Sequence, residues 1–161
     1  MKMKMSDFAE KMESYRDMTP TQIINSIVAD DDLSKDWAMF YHTLTDKFSS
    51  VGLGAKNLLP HIADELGLEQ EGLQDLVDDF GGVPELLEEF GTDANDATNY
   101  CLFDVFNPLS IAEDIVTARQ LFMERFCNMN KLEKKWYTAV VINQKRNGAG
   151  DNVTKKSLQK K

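Results

Sequence analysis

Between Gly54 and Gly91 this chain starts and stops a helix three times. Apolar residues recur at steps of three and four through Leu58, Leu59, Ile62, Ala63 and Leu66, and then Gly67 intervenes. They resume through Leu73, Leu76, Val77 and Phe80 and halt at Gly81-Gly82. A third run follows Pro84 through Leu86, Leu87 and Phe90 and halts at Gly91. Such spacing is the period of one helix face. Glycine just beyond it stops a helix because it enters the left-handed region without a Cβ penalty. Helices this short predict compact, near right-angled packing, not a long bundle.

The same punctuation runs through the rest. A first amphipathic segment covers about Ser6 to Arg16. Thr19-Pro20-Thr21-Gln22 then has a capping threonine, a proline suited to the first turn and a glutamine three after the cap. Ile23, Ile24, Ile27 and Val28 follow at helical spacing. Ser34 heads a longer helix whose Trp37, Phe40, Tyr41, Leu44 and Phe48 form one stripe, read as core. Residues 92–108 read as a loop ended by Asn107-Pro108, with Leu102–Phe106 as a short strand or a buried strap. Ser110, with Glu113 three residues on, predicts a capped helix facing Ile111, Ile115, Ala118, Phe122 and Phe126 inward. A last helix runs from about Lys131 to Gln144, with Leu132, Trp136, Ala139, Val140 and Asn143 on one side. The fold class is all-α: one domain over residues 1–150, then a basic end over 151–161 that frays.

Composition narrows the chemistry. The 161 residues are 42% hydrophobic, enough for one domain with a core. No apolar run is long enough for a bilayer, and Met1–Met5 lacks the apolar centre of a signal peptide, so an intracellular, reducing setting without membrane is expected. Cys101 and Cys127 have no CxxC spacing and read as free thiols. His42 and His61 are too few for a zinc site. Asp30-Asp31-Asp32 lacks the spaced ligands and glycine of a calcium loop, so no metal is expected. Neither GxxxxGK[ST] nor GxGxxG occurs, and no Ser/His/Asp set is present. The acidic pairs Asp78-Asp79 and Glu88-Glu89 read as solvated helix faces. The sequence therefore predicts no catalytic residue and no cofactor.

Charge is unevenly spread. The net value is −9, but residues 1–130 carry 9 Lys+Arg against 25 Asp+Glu, and residues 131–161 carry 9 against 2. The end of the chain is thus +7, a candidate polyanion-facing segment. In it, Lys145, Arg146, Asn147, Gly148 and Gly150, followed by Asn152 and Thr154, join cations and polar groups to glycines that permit close approach. Such groups hold a duplex by its phosphates without reading sequence. A second candidate is the loop Ser49–Lys56, where Ser49, Gly52, Gly54 and Lys56 precede a helix start, a position suited to phosphate.

These residues carry a resemblance. Glu133-Lys134-Lys135-Trp136-Tyr137, Val140-Val141-Ile142, Lys145-Arg146-Asn147-Gly148-Ala149-Gly150 and Val153 together resemble the end of the helical N-terminal domain of ATP-dependent DNA ligases. Ser50-Val51-Gly52-Leu53-Gly54, Leu58-Leu59, Ala63 and Leu66-Gly67 resemble that domain's glycine loop and the helix after it. Val83 to Gly91 resembles a later passage. In order and spacing the likeness covers roughly residues 8–158. It implies an all-helical domain that holds nicked duplex DNA through its backbone, without base specificity, in DNA replication, repair and recombination. Lys145, Arg146, Gly148, Gly150 and Thr154 would face DNA in one patch, and Ser49, Gly52, Gly54 and Lys56 in another. The family's adenylated lysine belongs to a further domain. A non-catalytic partner of a ligase catalytic domain or subunit is therefore implied, not an enzyme on its own. The acidic body departs from the basic surface such a domain leads one to expect. It raises the alternative of a protein-interaction adaptor that keeps the fold without binding DNA.

Overall fold

A computed structural model describes residues 3–30 and 53–142, and among these the chain forms eight α-helices. They are α1 (Met5–Ser14), α2 (Pro20–Ala29), α3 (Ala55–Leu66), α4 (Leu73–Phe80), α5 (Val83–Phe90), α6 (Leu102–Ser110), α7 (Ile115–Cys127) and α8 (Lys131–Val141). Among the described residues the only β pairing is an isolated antiparallel bridge between Lys4 and Cys101. The expected helix headed by Ser34, with Trp37, Phe40, Tyr41, Leu44 and Phe48, lies outside the described residues, as do His42 and the 151–161 end.

Local chemistry explains most boundaries. The Thr19 hydroxyl accepts from Gln22 N at 3.2 Å while Gln22 Oε1 accepts from Thr19 N at 3.0 Å, the reciprocal box expected from sequence. The glycine stops work as anticipated. Gly67 (φ 72°) lets Leu68 N reach back to Ala63 O at 2.9 Å, and Gly81 (φ 95°) lets Gly82 N reach Val77 O at 3.0 Å. Gly91 acts differently. Its backbone is extended, and a Cβ there would lie 2.4 Å from Leu87 O, so crowding rather than φ demands glycine.

Two readings are corrected downstream of residue 100. Leu102–Ser110 is a helix, neither strand nor loop, and Pro108 lies within it. Proline there removes the bond to Asp104 O, but Asp104 is exposed, so water can serve that carbonyl. Burial of Leu102, Val105, Phe106 and Leu109 holds the segment helical despite the proline. Ser110 ends this helix instead of capping the next. It is buried, and its hydroxyl donates to Asn107 O at 2.7 Å. The cap of α7 is Asp114, whose carboxylate accepts from Thr117 N at 2.8 Å. Ile111, expected inside, is 70% exposed, whereas Ala118, Phe122 and Phe126 are fully buried as expected.

Helix α8 lies at the centre, packed chiefly against α1 and α5. Its residue spacing predicts one apolar side; instead every residue from Glu133 to Ile142 is buried. The Tyr137 ring stacks on Phe122 with centroids 4.7 Å apart and meets Phe106 at 5.3 Å, and its hydroxyl donates to Val105 O at 3.3 Å. Full burial pushes that hydroxyl's pKa well above the ordinary phenol range. The strap 92–101 crosses the α7–α8 turn, with Ala94 N on Met129 O and Thr98 N on Asn128 O.

Candidate nucleic-acid interface

Of the residues proposed from sequence to face DNA, Gly54 and Lys56 are described. Ser49, Gly52, Lys145, Arg146, Asn147, Gly148, Gly150, Asn152 and Thr154 lie outside the described residues.

Leu53 is buried and anchors the chain just before α3. Gly54 then takes the N-cap position with extended backbone, and among the described residues no side chain caps the helix start. The first turn holds no acidic residue and carries exposed Lys56. A cation there opposes the helix dipole, which favours negative charge at this end. Lys56 and the dipole therefore point the same way, toward an anion. The φ of Gly54, −106°, suits any residue, and among the described residues a Cβ built on it meets nothing within 4 Å.

The structure brings a second glycine turn to this place, which the sequence reading used only as a helix stop. A cleft of about 240 Å³ is lined by Ala55, Leu59, Gln74, Val77, Asp78, Gly81, Gly82 and Val83. Two helix starts, α3 behind Gly54 and α5 behind Gly82, thus border one depression, and among the described residues neither has a side-chain cap. Pro84, two residues after the double glycine, marks this helix start in the sequence. Asp78 sets a carboxylate on the same rim; it accepts from Gln74 Nε2 at 2.9 Å.

A second polar assembly joins α1, α5 and α8. Arg16 Nη1 donates to Glu13 Oε1 at 2.9 Å and to Glu88 Oε1 at 2.8 Å. Lys135 Nζ lies 2.8 Å from Glu13 Oε2 and 3.3 Å from Glu88 Oε2. Trp136 Nε1 adds a bond to Glu13 Oε2 at 2.9 Å. Burial pushes the Glu13 carboxyl up, but the bonds from Lys135, Arg16 and Trp136 outweigh it and hold it below the usual range. Glu88 shows the same balance, with Arg16 and Lys135 prevailing over burial. All four carboxylate oxygens are engaged by the ring's own donors. The adjoining cleft of about 530 Å³, bordered by Asp93, Asn130 and Lys131, therefore faces a ring already satisfied.

This ring corrects two readings. Glu88 is a paired group rather than a solvated one, while its neighbour Glu89 is exposed. Lys135 is 6% exposed, and Lys134 is also buried, donating to Thr92 O at 2.7 Å with its ammonium over the Phe126 ring. Two of the cations counted in the +7 segment are thus turned inward and add nothing to an outward basic face. Among the described residues no group of His, Cys, Asp and Glu is arranged to hold a metal. No helix among them is long and apolar enough to cross a membrane. Comparison with protein-family models, with curated proteins and with solved structures found no match.

Proposed function

We propose that the chain is a non-catalytic DNA-binding module of the kind found at the N-terminus of ATP-dependent DNA ligases, holding nicked or intact duplex by its phosphates. One observation carries the reading. Lys56 is the only Lys or Arg between Lys47 and Arg119, and it stands at an uncapped, glycine-led helix start. An acidic stretch whose single cation stands at a helix start has an arrangement suited to a phosphate. Among the described residues nothing crowds Gly54, which suits close backbone approach. The adjacent start of α5 adds a second positive helix end, and the basic Lys145 and Arg146 with the polar Asn152 and Thr154 would supply the other patch.

The test is an anisotropy titration of nicked duplex at rising salt. Affinity of about 10⁻⁴–10⁻⁶ M is expected at physiological salt, falling log-linearly as salt rises. Lys56→Gln should reduce the salt slope by about 0.9, the loss of one phosphate contact. Gly54→Ala should weaken binding while the chain stays folded at the assay temperature, with only a small loss of stability from the poorer N-cap. No binding at low salt, or unchanged binding by both variants, would overturn the proposal.

A second reading is favoured by the acidic face of α3 to α5 and the strap behind them. Ten of the twelve Asp and Glu residues between Asp64 and Asp96 are exposed. Such a surface repels DNA and attracts a basic protein. A salt-sensitive complex with a separately supplied ligase catalytic domain, formed without DNA and with no duplex binding, would favour this adaptor role.

A further inference from the structure

The two cysteines differ in their surroundings. Cys127, half-buried on α7, is pushed up to about 11 by burial and by the Glu65 carboxylate, with which it shares a hydrogen bond. It stays a thiol, the unreactive form. Cys101 is placed beside an amine. Met5 N donates to Tyr100 O at 2.8 Å and Leu102 N to Met3 O at 2.8 Å, so Lys4 and Cys101 form the non-hydrogen-bonded pair of an antiparallel bridge. That pair type brings its α-carbons to about 4.5 Å and sets both side chains on one face. Lys4 Nζ donates to Cys101 Sγ at 3.5 Å, and both residues are half-buried. Backbone pairing rather than chance contact of two surface side chains fixes the juxtaposition.

We propose that Lys4 and Cys101 form an oxidative modification site, in which peroxide joins Lys4 Nζ to Cys101 Sγ through a sulfur–nitrogen bond. The Cys101 thiol first takes one oxygen from hydrogen peroxide, giving the sulfenic acid and one water. Lys4, having passed its extra proton to water, then attacks sulfur as the neutral amine. The N–S bond forms, the S–O bond breaks, and the departing hydroxide takes the second amine proton and leaves as water. Thiol, amine and one peroxide become the cross-link and two waters. Sulfur is oxidised and peroxide reduced. The link would tie the N-terminal segment to the start of α6 across 97 positions of sequence.

The full chain treated with dilute hydrogen peroxide should lose about 2 Da, the mass of two hydrogens, through this condensation of a sulfenic acid with nitrogen. Peptide mapping should find the Lys4 and Cys101 peptides joined, with Cys127 unmodified, and a thiol reductant should restore the starting mass. The cross-linked chain should melt at a higher temperature than the reduced one, because a long loop of the unfolded chain is closed. Lys4→Arg keeps the positive charge and the donor but is no nucleophile at neutral pH. It should melt like the reduced wild type, form no link, and let Cys101 go on to sulfinic acid. Identical products from wild type and Lys4→Arg, or oxidation of Cys127 ahead of Cys101, would overturn the site.

Discussion

Glu133 occupies the third position of α8 at 2% exposure. Its Oε1 accepts from Asn130 N at 3.1 Å, while among the described residues Oε2 is buried without a partner. The helix start favours the charged carboxylate and burial disfavours it. Burial wins, although the Asn130 N–H works against it, and the pKa is raised. The native state therefore binds more protons than the unfolded chain between the two pKa values. The contribution of this group is fully present below the unfolded value and is lost as pH rises through the folded one. Glutamine can make the same reciprocal cap without the charge. Glu133→Gln is accordingly expected to be at least as stable as wild type at pH 7, with its relative advantage shrinking toward pH 4. Urea unfolding of both proteins at the two pH values measures this; a loss at pH 7 that fades toward pH 4 would mean that the carboxylate is needed as a charge.

At the scale of elements, the same cap governs how α8 enters the core. The Asn130 side chain accepts from Glu133 N at 2.8 Å, and the helix it starts is buried for ten residues. Asn130→Ala should cost about 1–2 kcal/mol, the upper part of the range for losing a cap, because the exposed donor lies at a buried start. A lower midpoint in denaturant with an unchanged m-value would confirm a loss of stability with the fold intact. This element also marks how far the sequence could be read. Thr19-Pro20 and the glycines at 67 and 81 were legible because caps and stops are local chemistry. The helix Leu102–Ser110 was not, because Pro108 outweighs its neighbours locally and only tertiary burial of Val105, Phe106 and Leu109 reverses that. The inward turn of Lys134 and Lys135 was hidden for a related reason. Their partners, Thr92, Glu13 and Glu88, are some 40 to 120 positions away. Of the candidate site, the glycine-led helix start could be read from one segment, but its neighbour at Gly81-Gly82 needed the fold.

For the whole molecule, the proposed binding of DNA requires a chain of net charge −9 to approach a polyanion. Steering depends on where charge lies more than on its sum. The ring of Glu13, Arg16, Glu88 and Lys135 cancels two acids against two bases and leaves little field beyond it. The exposed acids of α3 to α5 are not cancelled in this way, and Asp78 stands on the cleft that carries Ala55 and Gly82. If phosphate sits at these helix starts, Asp78 opposes it without touching it. Asp78→Asn keeps the acceptor for Gln74 and removes the charge. One charge about 8 Å from a phosphate in water is worth about 0.5 kcal/mol, so binding of nicked duplex at low salt should tighten about two- to three-fold. The gain should fade as salt shortens the screening length to about 8 Å at physiological strength. The slope of affinity against salt should stay that of wild type, because no phosphate contact is added. This separates the variant from Lys56→Gln, which lowers both affinity and slope. Binding left unchanged by Asp78→Asn at every salt concentration would place the duplex away from this cleft and leave the basic segment beyond Ile142 to hold it alone.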